Sequence, residues 1–160
     1  MPGLGTVQDE DVVLYDNGTW SVYFDGTARG LTAADQDVDA ISVAGGSLYF
    51  STVGNTNPPT VGGTADDADV YRWDGATFTR DWDASANGVP AAADVDGVVR
   101  VDGTHLYTSF ESDTTVTGLG AVQDEDVVFD DNGTWSVYFD GTARGLGTSG
   151  ALDIDAFDLP

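Results

Sequence analysis

Twenty-eight acidic side chains against five basic ones, all arginine, give this 160-residue chain a formal net charge of −23. Such a field repels nucleic acid and anionic membranes, because binding either needs basic groups that release counterions. Cysteine is absent, which excludes disulfide and thiolate chemistry, while 41% apolar content with four Trp, six Tyr and seven Phe argues for a packed core rather than disorder.

No run of about 18 apolar residues appears, so no bilayer-spanning segment is expected. The N-terminal Met-Pro-Gly-Leu-Gly has neither the basic nor the apolar region of a secretory signal. The acidity suits work in high salt or the binding of cations, as well as plain solubility.

Along the chain the first predicted element is a hairpin. Val12–Tyr15 and Thr19–Phe24 flank Asp16-Asn17-Gly18, whose central residues tolerate positive φ. In its second strand the alternation puts Trp20, Val22 and Phe24 on one face, with Ser21 and Tyr23 on the other. An Asp-led strand of small residues is expected over 37–43, then a Gly-rich turn, Leu48–Val53, a longer loop with Asn57-Pro58-Pro59, and a strand around 68–74. No stretch has a helical period.

These elements recur. Residues 3–31 and 118–146 differ only at Thr6/Ala121, Leu14/Phe129 and Tyr15/Asp130, at an offset of 115. A diverged copy at 67–89 lies between them and pairs Asp11 with Asp69, Trp20 with Phe78 and Phe24 with Trp82. DVDAIS at 37–42 matches DVDGVV at 94–99 and DIDAFD at 153–158, and LYFS at 48–51 matches LYTS at 106–109. The period is 57 to 58 residues, the mark of a repeat architecture. A single repeat domain over 1–160 is expected, with a partial unit at 8–31, full repeats at 37–89 and 94–146, and a terminal strand at 152–159.

A small-residue strand, an LYFS-type strand, a strand ending Tyr-x-Trp-Asp-Gly or Tyr-Asp-Asn-Gly, and a short outer strand resemble a blade of the NHL and YWTD class of β-propeller. The DEDVV, NGTWSVYFDGTA and DVDA motifs also resemble tandem repeats of uncharacterised, mostly extracellular, bacterial proteins. The resemblance implies an all-β fold of four-stranded antiparallel blades, about three per chain, and an extracellular or cell-surface location. Trp20, Phe24, Phe78, Trp82, Trp135 and Phe139 are then the residues that pack blade on blade. Propellers use four to eight blades, so two chains sharing strands in a six-blade homodimeric ring is the expected closure. A slice of a longer array and a compact β-sandwich monomer are the alternatives.

Alternate residues of a strand share a face, so Asp37 with Asp39, Asp94 with Asp96, and Asp153 with Asp155 could converge on a hard cation such as Ca²⁺. The full Asp-x-Asp-x-Asp-Gly loop with its distal Glu is missing, and Asp at a strand start also caps turns through the backbone. Turn chemistry is therefore the first reading and a metal the second. Asp9-Glu10-Asp11 and its copy Asp124-Glu125-Asp126 read as solvated surface. Asn17-Gly18-Thr19 and Asn132-Gly133-Thr134 fit a glycosylation acceptor, but turn geometry explains them better.

Repeated Tyr and Trp could stack on a glycan. Tyr23 and Tyr138 recur, however, while the middle copy has Asp81 there. His105 is the only histidine, and nothing in the spacing nominates a nucleophile beside it. The expected function is non-catalytic: a structural or binding module, with a carbohydrate-binding module as the alternative.

Overall fold

The computed structural model describes residues 3–147 and 152–159. Two four-stranded sheets form its centre. The first runs β3 (Val38–Ala44), β4 (Ser47–Thr52), β5 (Val70–Trp73), β6 (Phe78–Trp82); the second runs β7 (Gly97–Arg100), β8 (His105–Ser109), β11 (Val127–Asp131), β12 (Thr134–Phe139). A two-stranded sheet, β1 (Val12–Asp16) with β2 (Thr19–Phe24), precedes them. A small hairpin, β9 (Thr114–Val116) with β10 (Gly120–Val122), is inserted between β8 and β11. Every pairing is antiparallel. Among the described residues no helix is long and apolar enough to cross a membrane.

The Asn-Gly turns form as the sequence predicts. Asn17 and Gly18 have φ of 47° and 90°, and Asn132 and Gly133 have 51° and 85°, the double positive φ whose twist matches the flanking strands. One expectation fails, since residues 152–159 make no strand pairing, and the β9–β10 hairpin is an addition that the sequence reading did not anticipate.

The alternation along the outer strand also needs correction. Val70 pairs with Trp82 while Tyr71 pairs with Arg80, so Asp81 is an extra residue, and the same shift recurs at Tyr23 and Tyr138. A bulge of this kind reverses which face the following residue takes. Phe78 and Trp82, four residues apart, accordingly enter two different cores.

Those two cores repeat. In one, Val12, Phe24 and Leu31 pack against Leu48, Phe50, Tyr71 and Phe78. In the other, their counterparts Val70, Trp82 and Val89 pack against Leu106, Val128 and Trp135, with Thr108 where Phe50 stood. Phe24 meets Phe78 edge-on at 6.2 Å between ring centroids, and Trp82 meets Trp135 edge-on at 5.9 Å, a favoured aromatic geometry. The first strands, β3 and β7, lie close against each other, whereas the outer strands β6 and β12 are bridged by the large side chains of Trp82 and Trp135. The stack is a wedge, narrow at its first strands.

Each unit is locked by the same acidic clamp. Asp11 accepts from the backbone N–H of Gln8 and of Gly26, Asp69 from Asp66 and Ala84, and Asp126 from Gln123 and Gly141, all at 2.9–3.0 Å. The expectation of a solvated acidic surface is thus wrong for Glu10, Glu125 and Asp126, which are buried. In the outer copies Glu10 and Glu125 sit on glycines. A Cβ at Gly26 would overlap the carbonyl oxygen and Cγ of Glu10, and one at Gly141 would overlap those of Glu125. The middle copy carries Ala68 opposite Ala84, so a shorter acidic position goes with a larger neighbour. Gly26→Ala is expected to cost roughly 1–3 kcal/mol by overpacking. Glu10→Ala combined with Gly26→Ala should cost less than the sum of the two changes, as a double-mutant cycle of urea unfolding would measure.

Candidate functional site

Where the sheets converge, the Asp-x-Asp segments of successive repeats come together. Asp37 ends a 3₁₀ turn and Asp39 lies in β3; Asp94 and Asp96 lead into β7; Asp153 and Asp155 follow in the same relation to the second sheet. The backbone confirms the equivalence of place, since Val53 N–H donates to Asp37 O and Glu111 N–H to Asp94 O.

A serine ties each junction. Ser51 Oγ touches Asp39 Oδ1 and lies 2.8 Å from Val95 O; Ser109 Oγ lies 2.7 Å from Asp96 Oδ1 and 2.9 Å from Ile154 O. A hydroxyl has one proton and a carbonyl can only accept. Both contacts are made when the serine donates to the carbonyl and a protonated aspartate donates to the serine. The LYFS and LYTS motifs contain these serines, but their apolar neighbours gave no sign of this role.

The remaining oxygens are buried without partners: Asp39 Oδ2, Asp94 Oδ1, Asp96 Oδ2 and Asp153 Oδ1. Burial and the facing Asp39 carboxyl hold Asp94 well above the usual carboxylate range, and burial raises Asp39 as well. Asp96 is pushed up to about 7 by burial, with Asp153 and Asp155 adding to it. Asp153 and Asp37 are raised too, in each case first by burial. One oxygen each of Asp96, Asp153 and Asp155 lies within 4.8 Å of the others. Of the six aspartates predicted as cation ligands, the structure therefore gathers Asp39 with Asp94, and Asp96 with Asp153 and Asp155, while Asp37 faces Asp9, Glu10 and Asp35.

Other candidates are occupied differently. Arg80 holds Asp69 and Asp83, each at 3.2 Å, so that acidic group already has its cation. Both ring nitrogens of His105 meet carboxylates, Nδ1 with Asp102 at 2.7 Å and Nε2 with Asp131 at 3.2 Å, and its ring stacks on Phe129. Tyr23 and Tyr138 are half-exposed, but Asp81, their counterpart, pairs with Arg100 at 2.8 Å across the sheet boundary. The three copies do not share one aromatic platform.

A carboxyl whose pKa is raised by folding stabilises the fold fully below its ordinary value of 3.8 and loses that contribution as pH rises through its folded value, about 7 for Asp96. The melting temperature is expected to fall between about pH 4 and pH 7. Asp96→Asn, which supplies a permanent donor to Ser109, should flatten that fall; a profile that keeps its full slope in the variant would exclude the protonated seam.

Comparisons with protein-family models, with curated proteins and with solved structures return no match, and the chain's own internal copies are the comparison that bears on its function.

Proposed function

We propose that the chain is a non-catalytic structural and binding module of β-propeller type, NHL/YWTD-like in its blades, which acts outside the cell or at its surface and closes by joining a second copy of itself. The observation that carries this reading is the repeated edge-on aromatic contact. Phe24 sits on Phe78, and Trp82 on Trp135. The next member of the first series is Phe139 and the preceding member of the second is Trp20.

Both stand at opposite ends of the stack, each lacking its opposite number. Tyr15 packs on Trp20 at 4.7 Å and 46°, reproducing the pair of Trp73 on Phe78 at 4.6 Å and 47° that receives Phe24 inside the molecule. At the other end Tyr107 stacks on Phe129 at 4.5 Å and Tyr138 meets Tyr107 at 4.8 Å. Tyr49, the counterpart of Tyr107 in the first sheet, packs into the inter-sheet core. Tyr15 at 57% exposure and Tyr138 at 54% are large apolar surfaces of the kind that mark an interaction site.

The two ends are complementary rather than identical, so the joint is heterologous and closes a ring when the rotation permits. Two copies give the six-blade ring. The segment 152–159 supports the same reading, because Ile154 O takes the Ser109 hydroxyl as Val95 O takes that of Ser51. It lies where a following sheet would begin.

Light scattering after size exclusion tests the joint. Wild type is expected near twice 16.7 kDa, while Trp20→Asp and Phe139→Asp are each expected to be monomeric and folded by circular dichroism. Mixed, the two variants should recover a one-to-one complex through the remaining intact joint. Monomeric wild type in both low and high salt, or single variants that keep the wild-type mass, would sink the proposal.

A further inference from the structure

Glu125 is fully buried, yet its Oε2 has no hydrogen-bond partner. Its other oxygen accepts from Thr142 Oγ1 at 2.5 Å. A carboxylate oxygen kept from water is strongly unfavourable unless a proton or a cation meets it. Two further carboxylates stand close by. One oxygen each of Asp113, Asp124 and Glu125 lies within 4.8 Å of the others.

Asp113 comes from the turn before β9, and Asp124 and Glu125 from the turn before β11. The backbone N–H of Asp124 donates to Asp113 Oδ1 at 3.2 Å, which fixes one turn on the other. Among the described residues none of the three is in an ion pair with Arg or His. A cavity of about 650 Å³, lined by Glu111, Asp113, Thr115 and Gln123 among others, opens beside Asp113.

The internal copies isolate what is particular to this place. Glu10 accepts from Thr27 as Glu125 does from Thr142, and Asp9 corresponds to Asp124. In the middle copy Asn55 and Ala68 stand for Asp113 and Glu125. Among the described residues the buried unpartnered glutamate oxygen belongs to Glu125 and not to Glu10.

We propose that Asp113, Asp124 and Glu125 bind one hard divalent cation of the Ca²⁺ class, which joins the inserted β9–β10 hairpin to the turn before β11. Three carboxylates supply up to six oxygens, and water from the adjoining cavity completes the six to eight that Ca²⁺ takes. Contact with the Glu125 carboxyl, then burial and the charges around it, raise Asp124 above the usual range, while Thr142 holds Glu125 below it. The Asp124 carbonyl accepts from the Ile154 N–H at 3.4 Å, so the site borders the Asp96–Asp153 pair, and its three ligands include none of the aromatic residues of the head-to-tail joint.

The probe is Ca²⁺ itself, titrated calorimetrically into the full chain after chelator treatment, with Mg²⁺ for comparison. Wild type is expected to take up one Ca²⁺ per chain with a Kd on the order of 10⁻⁴–10⁻³ M, as extracellular modules do, and to bind Mg²⁺ more weakly because Mg²⁺ demands a rigid octahedron. Asp113→Asn, at an exposed position, should weaken Ca²⁺ binding by about tenfold or more, since affinity follows the count of ligand charges. Glu125→Gln should do the same, and Glu10→Gln should leave it unchanged. No saturable Ca²⁺ heat up to about 10 mM, or an affinity that Asp113→Asn does not alter, overturns the site.

Discussion

A four-stranded sheet that is apolar on both faces has to be covered twice, and that requirement shapes the rest of this molecule. The first sheet meets it by receiving Phe24 on one side and offering Trp82 to the other. Each large side chain buried this way contributes about 1.5–3 kcal/mol relative to exposure. Residue size follows from the wedge. At the narrow edge Ala40 and Gly97 are buried, and a Cβ on Gly97 would overlap Ser109 Oγ and the Phe157 ring. At the wide edge stand Phe78, Trp82 and Trp135. Small residues on the first strand and aromatic ones on the last are therefore one constraint expressed at two distances from the line where the sheets meet.

The same convergence creates the electrostatic problem. Bringing first strands together brings Asp39 onto Asp94 and Asp96 onto Asp153, and two carboxylates in a partly dry space do not both stay ionised. Protonation of one member relieves each pair, and a protonated Asp39 or Asp96 can donate to a serine that donates onward to the neighbouring repeat. Where it is protonated, the acid at the seam is a hydrogen-bond donor that joins sheets instead of pushing them apart.

What was legible in the sequence was whatever a fixed residue type signals locally. The Asn-Gly hairpins, the all-β class, the period, and the strands near 38–44, 47–52 and 70–73 follow from turn chemistry and alternation. The bulges at Tyr23, Asp81 and Tyr138 did not show, because a bulge is a mismatch between two strands and neither strand carries it alone. Without the bulge, strict alternation puts Trp20 with Phe24 and misassigns half of the outer-strand aromatics. The clamp of Asp11, Asp69 and Asp126 was hidden for a related reason: its backbone donors are near in sequence on one side and 15 residues away on the other. Of the acidic seam, the aspartates were legible and their partners were not, since Asp39 meets Asp94 only after two sheets have stacked.

The use of the five arginines explains why the acidic end needs help from outside the chain. Arg100 is buried and reaches Asp81 across the sheet boundary, and Arg80 serves Asp69 and Asp83. Arg72 Nε donates to Ser47, and the Arg29 guanidinium lies over Trp73 at 5.2 Å. These are sites where a planar, weakly hydrated guanidinium does what a lysine ammonium does poorly, fixing direction at a partly dry boundary. Four of the five cations are thus spent along the faces and outer strands. None is paired with the inner ends, where Asp37, Asp94, Asp124, Glu125 and Asp153 gather. A chain built this way can neutralise that end only with protons or with cations from solution, so acidity and ionic composition act on the same carboxylates that hold its sheets together.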